Sequence, residues 1–119
     1  MMDPNSGLAL GSVSDLRVTN AVTGTGALTA TLRWTAPINP VTTTVRYSGV
    51  SLAEANWSSA SVITDSLPGS VTILTAVVPY SGGTAYFALK SKSATGVWSA
   101  LSNDAFWPHW DVYLPVVLR

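Results

Sequence analysis

The 119-residue sequence contains no cysteine, one histidine, and only six basic and six acidic residues. Without cysteine there is no disulfide framework and no thiolate metal site. Charged residues make up 10% of the chain, against about 25% in an ordinary soluble domain. The formal net charge of zero gives no electrostatic purchase on nucleic acid or an anionic membrane surface, so neither is an expected partner. It also removes the repulsion that keeps copies of a domain apart. No apolar run is long enough to span a bilayer. The opening Met1-Met2-Asp3-Pro4-Asn5 has neither the basic region nor the apolar segment of a secretory leader.

What the chain does have is alternation. Leu28, Ala30, Leu32 and Trp34 alternate with Thr29, Thr31 and Arg33, the period of a half-buried strand. Pro37 and Pro40 then break the pattern. Further strands are expected over 16–19, 43–48, 61–64, 71–78, 85–91, and from Trp98 to about Ala105. The run over 71–78 lacks clean alternation, which suggests a bulge. Ala85, Phe87 and Leu89 share one face of their strand, and Ser93-Ala94-Thr95-Gly96 carries turn chemistry. Ser51-Leu52-Ala53-Glu54 has the form of a capping box, so residues 52–57 read as one helical turn docking Trp57 on a sheet edge. The expected core is Leu32, Trp34, Val45, Tyr47, Ile73, Phe87, Leu89 and Trp98. The length suits one domain, with a lead-in over 1–12, an antiparallel sandwich over 13–105 and a hydrophobic extension over 106–119.

Three segments carry a family resemblance. Tyr86-Phe87-Ala88-Leu89-Lys90 leads to Trp98-Ser99-Ala100-Leu101-Ser102-Asn103. Val45-Arg46-Tyr47-Ser48 is followed by Glu54-Ala55-Asn56-Trp57, and Leu32-Arg33-Trp34-Thr35-Ala36-Pro37 precedes both. In residues and in order, these resemble the bacterial fibronectin type III domain, over roughly 13–103. The resemblance implies an all-β sandwich of about seven strands serving as an extracellular or cell-surface module. It is specific for fold and nearly silent on activity. One departure stands out. The family usually places a tyrosine two residues before the position of Phe87, where this chain has Ala85. Tyr80, a few residues upstream, is expected to fill that space.

The extension is dense in aromatic and β-branched residues. Trp110, Val112 and Leu114 alternate with Asp111 and Tyr113 until Pro115, which reads as one extra strand confined to an edge. Trp107, Trp110, Val112, Tyr113, Leu114 and Val116 are the expected interface residues. Ordering such a segment costs about 1–2 kcal/mol per residue, and burying each large apolar side chain returns about 1.5–3 kcal/mol. The two sums nearly cancel, so the strand needs a sheet edge to pair with, its own or another copy's. The expected partner is a second copy, in a head-to-tail assembly that grows into a filament unless it closes a ring, or another cell-surface protein.

Catalysis is not expected. His109 with Asp111 or Asp104 is the raw material for a nucleophilic triad, but no strained nucleophile elbow occurs among the serines. The acids Asp3, Asp15, Glu54, Asp65, Asp104 and Asp111 are scattered, without metal-ligand spacing. The chain is therefore read as a non-enzyme with no cofactor and no metal. Asn56-Trp57-Ser58 matches the N-glycosylation sequon, which makes Asn56 a candidate modification site against the plainer reading of a structural dipeptide. Two rivals to the self-assembling module stay open. One is an accessory or spacer domain of a larger secreted enzyme, with a surface-anchoring tail. The other is a carbohydrate-binding module that stacks tryptophan on polysaccharide. The extracellular location that the resemblance implies makes this a mature or excised form.

Overall fold

The computed structural model describes residues 12–37 and 40–108. In chain order the strands are β1 (Arg17–Gly24), β2 (Ala27–Arg33), β3 (Thr42–Ser48), β4 (Ser61–Pro68), β5 (Ile73–Pro79), β6 (Ala85–Lys92) and β7 (Ala105–Trp107). They form two antiparallel sheets, one ordered β1-β2-β5 and the other β4-β3-β6-β7. This is the all-β sandwich that the alternation predicts.

β2 sets the pattern for the first sheet. Its inward residues Leu28, Ala30 and Leu32 are fully buried. They lie opposite Val78, Ala76 and Leu74 of β5 in an unbroken register. Gly26, at φ 72°, takes the left-handed conformation that the tight β1–β2 turn requires. From the second sheet Val45, Phe87 and Leu89 close the core, joined by Val13, Leu16, Val18, Trp34, Ala85 and Ala105. Tyr47 packs against this cluster from its margin.

Several expectations are corrected. β1 and β4 are longer than the segments 16–19 and 61–64. The bulge expected over 71–78 is absent, and the irregularities fall between Val18 and Asn20 in β1 and in the β3–β4 pairing. Ile73 and Trp98, both expected in the core, are 42% and 47% exposed. Both phases of β5 are apolar, and the register with β2 turns Leu74, Ala76 and Val78 inward, which leaves Ile73, Thr75 and Val77 outside. The expected last strand from Trp98 to Ala105 is a strand only from Ala105, preceded by an isolated bridge between Lys92 and Trp98.

The helical turn is a 3-10 helix, Glu54–Ser59, capped by Ala53 rather than Ser51. Asn56 closes the cap. Its Oδ1 accepts from the Ala53 amide at 2.7 Å and its Nδ2 donates to the Ser51 carbonyl at 3.0 Å. The side chains of Ser51 and Glu54, which the capping box would pair with the turn itself, reach elsewhere.

Candidate functional site

The polar side chains concentrate on the outer face of the four-stranded sheet, around the 3-10 turn. β3 alternates, so Arg46 projects outward. Its guanidinium lies 4.6 Å from the Trp57 ring, and its Nη1 donates to the Trp57 carbonyl at 2.7 Å. Lys90, on the adjacent strand β6, sits 5.6 Å from the same ring and pairs with Glu54 Oε1 at 2.6 Å. Glu54 Oε2 accepts from the Leu101 amide at 2.8 Å. Asp104 takes the Ser51 hydroxyl at 2.5 Å and the Leu52 amide at 3.2 Å. The arrangement holds the turn onto the sheet by charge-assisted contacts and a cation–aromatic stack.

The electrostatics follow from these contacts. The Lys90 ammonium, helped by the Leu101 amide, holds the Glu54 carboxyl below its ordinary value. At the far end of β2, the Thr35 hydroxyl and then the Thr35 amide, with Arg17 nearby, lower Asp15 in the same way. Both carboxylates are held ionised, the state suited to bracing a loop rather than donating a proton.

Two shallow cavities flank the sandwich. One, of about 170 Å³, is lined by Tyr47, Ser48, Gly49, Tyr80, Gly82 and Ala85. The other, of about 210 Å³, is lined by Val18, Thr19, Asn20, Ala21 and Trp107. Neither lining contains an acid, a histidine or a lysine. Among the described residues no group of three metal-ligating side chains comes together.

The sequence-predicted site residues separate into two sets. Trp107 belongs to its own sandwich. It pairs with Ala85 through β7 and meets the Tyr80 ring edge-on at 5.8 Å. Tyr80 packs against the core from the side, with its hydroxyl donating to the Gly83 carbonyl at 2.8 Å. Trp110, Val112, Tyr113, Leu114, Val116 and His109 lie outside the described residues. Asn56 is half-buried, and its amide spans the cap of the 3-10 turn. Asp104, a candidate triad acid in the sequence, accepts from Ser51 and Leu52.

Ser99, Ser102 and Asn103 are contacts that sequence reasoning missed. The Ser99 amide donates to the Ser91 carbonyl at 2.7 Å, while its Oγ accepts from the Ser91 amide at 2.9 Å. Ser102 repeats this against Leu89, at 3.0 and 2.9 Å. Asn103 brackets Leu16 from the other side, accepting from its amide and donating to its carbonyl, both at 2.9 Å. No sequence signal marked them, because their partners Ser91, Leu89 and Leu16 are brought to them by the tertiary fold.

No protein-family model matches the chain, and no curated protein does. Among solved structures, the sandwich is similar to an Fn3-like protein from Clostridium thermocellum, with a TM-score of 0.56 and 21% identity over 82% of this chain and 86% of that one. The fold is that of an Fn3-like sandwich. It is also similar to part of the pectate lyase Pel3 of Pectobacterium carotovorum, with a TM-score of 0.60 and 17% identity over 82% of this chain. The chain spans 27% of that lyase. At these identities the likeness of this Fn3-like sandwich to both proteins is one of fold.

Proposed function

We propose that this Fn3-like sandwich is a non-catalytic module of a larger extracellular protein, serving to space and connect its neighbours. One observation carries the reading. Of the four described acids, Asp15, Glu54 and Asp104 are each spent on a backbone amide of a connecting segment, and no acid lines either cavity. A low-charge body whose polar groups brace its own loops is suited to transmitting position rather than chemistry. The match to about a quarter of a pectate lyase chain supports placement beside a larger enzyme.

The test is a panel of polysaccharide hydrolase and lyase assays, pectate included, on the purified chain. No turnover is expected. Turnover abolished by Asp104→Asn or Glu54→Gln, with the fold retained, would overturn the proposal. A second reading, as a polysaccharide-docking module, draws on Trp98, which is 47% exposed with Lys92 at 5.0 Å from its ring. Retarded migration in pectin-containing native gels, lost in Trp98→Ala, would favour that reading.

A further inference from the structure

Four strands lie at sheet edges, and three of them are closed to pairing. β1 carries Arg17, breaks register between Val18 and Asn20, and has Trp107 against residues 18–21. β4 shifts register against β3, carries Asp65 and ends at Pro68. β7 has three residues and is followed by Pro108. Charges, bulges, prolines and shortness are the usual defences of an edge. β5 has none of them along Ile73-Leu74-Thr75-Ala76-Val77-Val78: no charge, no register break, and proline only at its last residue, Pro79.

The phase of its hydrogen bonds can be worked out. The Trp34 amide donates to the Thr72 carbonyl, and the Tyr80 amide to the Gly26 carbonyl. Both bonds belong to the β2–β5 ladder, in which alternate pairs exchange bonds. Residues 72, 74, 76, 78 and 80 therefore bond inward to β2. The amides and carbonyls of Ile73, Thr75 and Val77 point to the open side, where they have no partner among the described residues. The same three side chains stand on the exposed outer face.

We propose that this edge pairs with the β5 edge of a second copy, antiparallel, about a two-fold axis at Thr75. The strand is self-complementary in that register. Thr75 faces the partner's Thr75, Ile73 faces the partner's Val77, and Val77 faces the partner's Ile73. Every outward amide and carbonyl of the three residues is satisfied, and Pro79, which has no amide to give, falls outside the ladder. Opposed β-branched residues are favourable cross-strand pairs. Neither strand brings a charge, so self-pairing meets no like-charge penalty on the strand, and the net charge of zero adds none at long range. The contact is isologous and closes at the dimer. In this register the two strands overlap over the five residues 73–77, a strip about 17 Å long and one strand spacing wide, small beside the interface of a standing dimer, so the dimer is reversible and concentration-dependent.

The absence of cysteine allows a direct test. Thr75→Cys introduces a single thiol, and in the proposed register it meets its twin at a Cα separation of about 5.5 Å, within disulfide range. Mild oxidation of the full chain should give a covalent dimer. Val22→Cys, on the same outer face but in β1, two strands from the β5 edge, should not. Thr75→Lys sets two like charges directly opposite and should hold the light-scattering mass at that of the monomer, with an unchanged circular dichroism spectrum, where the parent chain rises with concentration. Removing residues 110–119 should leave the Thr75→Cys crosslink intact. A constant monomer mass for the parent chain overturns the proposal. So does crosslinking through Val22→Cys but not Thr75→Cys, or loss of the crosslink on removing the tail. Should Thr75→Lys fail to fold, the crosslink pair decides alone.

Discussion

Phe87 touches the physics of this fold most directly. It is fully buried near the start of β6, opposite Tyr47 of β3 on one side and Ala105 of β7 on the other. Phe87→Ala should cost about 3–5 kcal/mol, measured by urea denaturation. Gly69 is a different kind of fixed point. A Cβ there would collide with the Pro40 carbonyl oxygen, a backbone atom that cannot rotate away. Gly69→Ala should therefore destabilise the sandwich, by about 1–3 kcal/mol if it resembles other cases of overpacking, and an unchanged melting temperature would contradict the close approach. Phe87 was legible in the sequence because its strand alternates cleanly. Ile73 was not, because β5 is apolar in both phases and only its register against β2 decides which phase faces inward.

Among elements, the segment between β6 and β7 is the least strand-like in backbone terms and the most dependent on side chains. Ser99 and Ser102 stand in for carbonyls, each accepting the amide of a buried β6 residue. Ser99→Ala or Ser102→Ala should leave that amide unpaired and cost about 1–3 kcal/mol, with faster hydrogen exchange confined to Ser91 or Leu89 respectively. The helical turn makes a parallel point. Its existence was legible from Ser51 to Trp57, but its cap was not. The spacing of Ser51 and Glu54 satisfied the local rule, while Lys90, Leu101 and Asp104, brought in by the tertiary fold, offered those side chains stronger partners. Asn56 then took the cap. Local patterns announce an element, and which hydroxyl or carboxylate serves it depends on residues some 35 to 55 positions away.

For the molecule as a whole, scarcity of charge predicts a shallow response to salt and a specific response to acid. Asp15 and Glu54 both have lowered folded-state values, so the unfolded chain binds protons more readily. Their contribution is complete above the ordinary carboxylate values of 3.8 and 4.5 and is lost as pH falls through the lower folded ones. Both groups are solvent-exposed, so the effect is small. Glu54→Gln should flatten part of the stability decline below about pH 4.5, read from urea midpoints across pH. The boundary of the cooperative unit gives the larger test. β7 supplies Ala105 to the core and Trp107 to Tyr80. Removing residues 110–119 should preserve a cooperative unfolding transition and the β-sheet spectrum. Truncating before Ala105 should abolish both, because it unpairs β6 from Ala85 to Phe87 and uncovers Tyr80 and Phe87 together. If the shorter truncation also unfolds, the hydrophobic extension is part of the sandwich. If it folds but loses light-scattering mass that the parent chain had, the extension is the self-association element that its alternation predicts.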